Sequence, residues 1–504
     1  MTTAKPAIPD ISIGFTHAQT ERVLRDAGWN LAGSVLPLFA AVVAIPVLIN
    51  TLGTDRFGLV TLAWAGVGYF SLLDFGVGRA LTKCVAESLA KRDHARIPQL
   101  FWSSLWLLGI GSAIGSGLLC LIPMSLINQI LKVPQHLALE TRYSLWILAA
   151  TVPLVTLSAT LRGFLEAHRW FKSINVIRVI LGLATFTFPV LIVRFSPTLP
   201  AVLGSLALAR MGACLAYLIL CFKATPETRN ARWISWHEVR PVLSFGGWIT
   251  LTNTISPLMT YLDRFFVSAL LSLSAVSYYT TPYELTSKIQ ILPAAIATSL
   301  FPAFASLAGR NCLHLTKLYN DAIAIVFHCV YPVSILLVLF AQDGLRLWLG
   351  ADFALKSYGV VQINAIGLLL NSLAQIPSTF SQASGRPDVN AKFHLCELPI
   401  YLVCAYFLTH RFGIVGAALA GSIRITIDAA LLFLYVHSRK VPLHKTVLIS
   451  AGLVTAVAAA VVANTLGPVP RLAIGLIAVL ISGLSLVRMI GRKEGSTIPS
   501  FATS

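Results

Sequence analysis

Charge is what this sequence has least of: 12% of its 504 residues are Asp, Glu, Lys or Arg, about half the share found in a soluble domain. Such a chain cannot cover a water-facing surface, which excludes a soluble globular protein. Acids are the scarcer sign, 20 against 38 Lys and Arg, giving a formal charge of +18. An excess of that size is a common mark of nucleic-acid binding. Here the cations are scattered between apolar runs, and they read as topology signals of a membrane protein. The eight cysteines stand singly without a CxxC pair, so neither a zinc site nor a redox motif is indicated. There is no GxxxxGK[ST] loop and no HExxH helix, so no nucleotide hydrolysis, catalytic metal or cofactor is expected. The polar N-terminal stretch lacks the apolar core and cleavage site of a secretory signal. The largest predicted outer segment, about 124–142, is too short for a folded domain.

Apolar sequence is what the chain has in excess, 56% of residues with a mean hydropathy of +0.77. The runs are about 20 residues long and continuous rather than alternating, which points to helices and not to a barrel. They predict spans near 28–52, 59–82, 98–123, 143–165, 173–194, 199–222, 243–268, 275–304, 318–341, 358–380, 394–410, 414–437, 446–466 and 470–490. The expectation is an all-α polytopic membrane protein of about 14 helices. With the N-terminus inside, the predicted cytoplasmic segments hold about three times as many Lys and Arg as the outer ones, which places both termini inside. Residues 226–240, PETRNARWISWHEVR, read as an amphipathic segment at the interface, with Trp233 and Trp236 at its depth.

A weak repeat runs through the chain. Trp29 opens the first span and Trp248 the seventh, and each is followed by a Pro-Leu pair, Pro37-Leu38 and Pro257-Leu258. The interval from Trp29 to Gly58 equals that from Trp248 to Ser277. Two pseudo-repeated six-helix bundles plus a C-terminal helix pair follow from this. The expected divisions are a cytoplasmic tail and interfacial segment (1–27), an N-terminal bundle (28–222), a cytoplasmic linker (223–242), a C-terminal bundle (243–437), an additional helix pair (446–490) and a cytoplasmic tail (491–504). Repeated halves of this kind are common in secondary transporters, which bind their cargo between them.

The most unusual stretch is 261–309, almost wholly apolar yet carrying Asp263, Arg264, Glu284 and Lys288 with prolines at 282, 293 and 302. Ionisable groups in hydrocarbon are costly, at least ~2.5 kcal/mol each on insertion scales, so they face a protein interior or a wet path. Arg210 lies mid-span, ~16 Å from either helix end, with no acid within a turn. Arg424 has Asp428 four residues on, and Glu284 has Lys288, spacings that put each pair on one helical face. Arg264 is near the outer end of its helix, within reach of the interface by snorkelling. Asp74 and Arg79 flank Gly76 and Gly78, and the DFGVG stretch reads as a bend at the cytoplasmic gate with Arg79 an entry contact. Tyr278, Tyr279 and Tyr283 read as belt residues.

The stretches DRFGLVTLAWAGVGYFSLLDFGVGRALTKCVAE (55–87), LDRFFVSALLSLSAVSYYTTPYELTSKIQILPAAIATSLFPAFASLAG (262–309) and RFGIVGAALAGSI (411–423) resemble the polysaccharide-exporter branch of the MOP superfamily, the Wzx-type flippases. The resemblance implies two helical bundles around a V-shaped cavity, alternating access, and a cationic wall for a polyprenyl-diphosphate-linked oligosaccharide. The expected product is an O-antigen, capsule or exopolysaccharide repeat unit moved from the cytoplasmic to the outer leaflet of a bacterial inner membrane. Arginine suits a diphosphate through its planar fork. The candidate cavity cations are therefore Arg210, Arg264, Lys288, Arg424 and Arg79, and the candidates for ion coupling are Asp263, Glu284 and Asp428. The membrane potential alone biases anion export by ~2.3 kcal/mol per charge per 100 mV. Expected partners are membrane lipids and a polymerase and glycosyltransferases of the same pathway, with no nucleic acid. The competing reading is a cation-coupled multidrug exporter of the same superfamily, but the first span has no buried acid for a cationic drug. An enzyme acting on lipid-linked sugars is disfavoured by the short outer segments.

Overall fold

The computed structural model describes residues 17–70, 77–229, 258–307, 312–439, 441, 446–463 and 465–494. The described residues form helices and no strands. In order they are α1 (His17–Phe70), α2 (Val77–Ala90), α3 (Arg96–Leu121), α4 (Met124–Leu131), α5 (Ala138–Ala167), α6 (Phe171–Ile192), α7 (Leu199–Ala224), α8 (258–270), α9 (Leu273–Ser287), α10 (Ile291–Leu307), α11 (Cys312–Leu339), α12 (Ala341–Leu349), α13 (Ala351–Ala383), α14 (Pro387–Ser438), α15 (Thr446–Val462) and α16 (Pro468–Glu494). Among the described residues, 10 helical stretches are long and apolar enough to cross a membrane. The protein is a multi-pass membrane protein.

Two of these helices, α1 and α14, are long enough to cross a bilayer twice. The 52 residues of α14 would run about 78 Å as one helix, against a hydrocarbon core of about 30 Å. Both α1 and α14 fold back at a single glycine instead: Gly53 has φ 79° and Gly413 φ 61°. Only a residue without Cβ adopts that region freely, so one glycine replaces a whole connecting loop. The predicted span 59–82 is divided between the second half of α1 and the start of α2, with 71–76 outside the described residues. The first part of the predicted seventh span, and most of the interfacial segment with both its tryptophans, also lie outside them. The chain's reversals define two ends. One carries Gly53, α4, the 271–272 break, α12 and Gly413; the other carries the turns after α5 and at Gly385.

Helix α5 packs on α3 and α7, and α1 on α6; separately, α13 packs on α14, α11, α10 and α9, and α15 and α16 on α11. Lipid offers no hydrophobic drive for helix pairing, so close packing and interhelical hydrogen bonds must hold these contacts. Gln362 Nε2 donates to the Val338 carbonyl at 3.1 Å, and Gln290 Nε2 to the Leu368 carbonyl at 3.0 Å. Gln375 bonds Gln290 in turn. Gln362 and Gln375, both in the predicted span 358–380, thus serve helix pairing.

The two groups of helices meet where α1 touches α9. A buried cluster there joins Leu48, Leu52, Phe57 and Val60 to Val267, Leu273 and Val276. The contact is reciprocal. A Cβ placed on Gly58 would stand 2.1 Å from the Leu273 carbonyl oxygen, and Ser277 Oγ donates to the Thr54 carbonyl at 2.6 Å. The offset that carries Trp29 onto Trp248 also carries Gly58 onto Ser277 and Thr54 onto Leu273. Each residue therefore meets the counterpart of its partner, the signature of a two-fold contact. Further bonds cross the seam at the Gly53 end: Lys132 Nζ to the Leu270 carbonyl at 2.7 Å and Ser268 Oγ to the Leu131 carbonyl at 2.9 Å. Trp348 Nε1 reaches the Val42 carbonyl at 2.7 Å. The molecule is closed at the Gly53 end.

Candidate functional site

Behind this seam lies a cavity of about 240 Å³, walled by α1 (Pro37, Ala41, Ile45, Trp64), α6 (Phe186), α7 (Arg210), α9 (Glu284) with the turn after it (Lys288), and α12 (Trp348). Its charged members arrive from different helices for local reasons. Lys288 sits in a 3₁₀ turn, Lys288–Gln290, between α9 and α10. Pro293 has no N–H to give the Ile289 carbonyl and its ring crowds that group, so the helix tightens there and projects Lys288 at the bend. Arg210 comes from an uninterrupted stretch of α7, carried inward by the helix.

Among the described residues, no carboxylate lies within ion-pair distance of Arg210. The guanidinium faces the cavity beside Trp64, whose indole N–H is buried without a partner among the described residues. Trp64 is held edge-on between Phe57 and Phe186, at 6.0 and 5.4 Å between ring centres. Among the described residues, the cavity wall therefore offers an arginine that no carboxylate neutralises. Neither tryptophan of the wall was among the sequence candidates. The available signal for Trp64 was its depth, since membrane tryptophans concentrate at the interfaces.

Arg264 does not snorkel. It is 2% exposed, and its Nη2 donates to Glu284 Oε1 at 2.7 Å. The rings of Tyr261 and Tyr283 lie 5.2 and 5.7 Å from its guanidinium carbon, within cation–π range. Glu284 Oε2 is 3.5 Å from Lys288 Nζ, so one carboxylate serves two cations. Asp263 Oδ1 accepts from the Arg264 backbone N–H at 2.8 Å, and its other oxygen accepts from the Tyr279 hydroxyl. Tyr279 and Tyr283 are thus packed around this ionic group and are not belt residues. Tyr278 alone stays outside, 3.3 Å from Asp352 and from Lys356.

Arg424 and Asp428 share a helical face but form no ion pair among the described residues. The Arg424 guanidinium lies 5.8 Å from the Tyr401 ring centre, with Nε unpartnered. Asp428 instead meets residues of the first half of α14. His394 Nδ1 is 3.7 Å from Glu397 Oε2 and 3.9 Å from Asp428 Oδ1. The potential ligand atoms of the three lie within 4.8 Å of one another. Glu397 is 1% exposed and neither of its oxygens receives a hydrogen bond among the described residues. Arg79 is exposed on the first turn of α2, and the cavity does not reach it. Asp74 and Gly76, which frame the expected bend, lie outside the described residues. Of the expected cations, the cavity therefore gathers Arg210 and Lys288, holds Arg264 directly behind Glu284, and leaves Arg424 and Arg79 apart.

Two helix groups closed at one end around a central cavity with cationic side chains define a multi-pass transporter of the two-bundle kind. Residues 23–308 match the polysaccharide biosynthesis protein family, and the chain belongs to it. It is 29% identical over 413 residues to a protein named as an O-antigen transporter in Shigella flexneri, covering 81% of this chain and 96% of that one. The fold is similar to that of an inward-facing multidrug resistance MATE transporter of the MOP superfamily. The TM-score is 0.69 with 16% identity, over 82% of this chain and 99% of that one. It is also similar to the lipid II flippase MurJ in an inward closed conformation, with TM-score 0.68 and 14% identity over 93% and 99% of the two chains. The resemblance read from the sequence to the flippase branch of the MOP superfamily holds.

Proposed function

We propose that the protein carries a polyprenyl-diphosphate-linked oligosaccharide, a repeat unit of O-antigen, capsule or exopolysaccharide, from the cytoplasmic to the outer leaflet of a bacterial inner membrane by alternating access. The observation that carries this reading is the convergence of Arg210 and Lys288 on one cavity, with Arg210 neutralised by no carboxylate among the described residues. A polar group in a membrane interior without a partner is expensive. An anionic cargo whose diphosphate meets the guanidinium fork supplies the missing partner. Trp64 and Trp348 supply flat apolar faces for sugar rings.

In this reading the Gly53 end faces the periplasm and both termini the cytoplasm, as the distribution of Lys and Arg favours. The bundles 28–222 and 243–437 rock about the two-fold seam, while 446–490 rides on the second. At about 240 Å³ the cavity is below the roughly 300–1,000 Å³ of ordinary ligand sites, so it takes a diphosphate and first sugar only after the bundles part. The chain transports and does not catalyse. His394, Glu397 and Asp428 form the place where a coupling proton or cation enters, outside the lining of the cargo cavity. Glycosyltransferases and a polymerase of the same pathway make the cargo and consume it.

Cationic-drug export is disfavoured by the same cavity. Its one carboxylate among the described residues, Glu284, is already held by Arg264 and Lys288. The test is export in a strain lacking its own flippase. The wild-type chain should restore surface glycan, while Arg210→Ala should insert normally and restore none. Full restoration by that variant contradicts the proposal.

A further inference from the structure

Glu284 is an anomaly in a cavity built for an anion. It is about a third exposed, lines the cavity with Arg210 and Lys288, and places a negative charge where the cargo's phosphates would sit. Its two bonds are unequal. Arg264 Nη2 is at 2.7 Å and 2% exposed, while Lys288 Nζ is at 3.5 Å and 39% exposed. Parting Glu284 from Arg264 would leave a buried cation without its partner, a severe penalty. Parting it from Lys288 breaks a long, half-solvated contact of small worth. The carboxylate is therefore anchored on one side and loosely engaged on the other.

We propose that Glu284 is the cavity's internal counter-ion. It stays with Arg264 throughout the cycle and shares Lys288 with the cargo diphosphate. When the cavity is empty Glu284 holds Lys288; when cargo is bound Lys288 turns to the phosphates; on release Glu284 reclaims it. Because Glu284 stays with Arg264, Arg210 and Lys288 are the two lining cations left to the cargo, one for each negative charge of a lipid-linked diphosphate. Without Glu284 the cavity would hold its cargo more tightly and let it go more slowly. Affinity and turnover would then move in opposite directions, the mark of an overstabilised ground state.

This inference rests on the flippase reading, and the experiment separates the two. Binding of farnesyl diphosphate and farnesyl monophosphate is measured on detergent-purified wild type, Glu284→Gln, Lys288→Gln and the double variant, with thermal unfolding of each as a control. Wild type should prefer the diphosphate. Glu284→Gln should bind it about tenfold more tightly and Lys288→Gln about tenfold more weakly, each a shift of about 1.4 kcal/mol. The double variant should return close to wild type, and glycan export by Glu284→Gln should fall despite its tighter binding. Should Glu284→Gln fail to fold, Glu284→Asp, which draws the carboxylate back from Lys288, should bind more tightly than wild type. Unchanged or weaker binding by a folded Glu284 variant overturns the inference and leaves the flippase reading standing. Failure of the wild type to bind either lipid phosphate overturns that reading, and the inference with it.

Discussion

The α-carbon of Gly58 lies so close to Leu273 that a Cβ added there would stand 2.1 Å from the Leu273 carbonyl oxygen. This approach brings the two halves of the chain together at the Gly53 end, and the backbone carbonyl facing Gly58 has no room to give way. Gly58→Val should therefore hold the seam open. The local cost is about 1–3 kcal/mol, typical of overpacking, and it falls on the closed arrangement rather than on either bundle. The variant should reach the membrane in normal amounts and lose most of its export. A cysteine at Ser277, protected beneath the seam in the parent, should become reactive to a membrane-impermeant thiol reagent. Normal export with continued protection would show that the seam does not open and close during transport.

Arg264 tests the buried side of the ionic group. It is the partner of Glu284 and is flanked by the Tyr261 and Tyr283 rings. Arg264→Ala strands Glu284 and Asp263 together, and removal of one partner from a buried pair typically costs about 3–5 kcal/mol. The expected outcome is a much lower unfolding temperature in detergent and reduced membrane levels. Lys288→Ala should leave the unfolding temperature nearly unchanged, because its contact with Glu284 is long and half-exposed. Equal stability of the two variants would show that the burial around Arg264 carries no such weight.

The cluster of His394, Glu397 and Asp428 predicts a separation of functions. Asp428→Asn and Glu397→Gln should leave binding of a polyprenyl diphosphate intact, since neither residue lines the cavity. Both should abolish the dependence of export on a proton or sodium gradient, measured in vesicles with an imposed gradient. Export that keeps its full gradient dependence in both variants removes the cluster from energy coupling.

Topology gives a simpler check. Cysteines at Arg96 and Arg386, both at the Gly385 end, should escape labelling from outside intact cells. A cysteine at Lys132, at the Gly53 end, should be labelled. Labelling in the reverse pattern inverts the membrane orientation.

The helices were legible because apolar length is a strong signal and the glycines at 53 and 413 fall between runs. The equal intervals from Trp29 to Gly58 and from Trp248 to Ser277 pointed to a repeat, and Gly58 and Ser277 make reciprocal contacts across the seam. The site was legible in part. Mid-span cations can be found by counting, and Arg210 and Lys288 do line the cavity. Their partners cannot be found that way, because pairing across helices depends on rotation and depth. Glu284 pairs with Arg264 twenty positions away as well as with Lys288, while Asp428 passes over Arg424 for residues of another helix half. Tyr279 and Tyr283 look like belt residues by position and turn out to enclose a charge. Trp64 has no charge to mark it, and only the fold shows that its N–H has no partner among the described residues.

The most direct test is lipid translocation by the purified protein in liposomes, following a fluorescent polyprenyl diphosphate from one leaflet to the other. Wild type should move it faster than empty liposomes. Arg210→Ala should reduce the rate to that background while remaining folded, and Arg210→Lys should restore only part, because an ammonium lacks the guanidinium fork. Wild-type rates in folded Arg210→Ala would contradict the central claim that this arginine meets the cargo's phosphates.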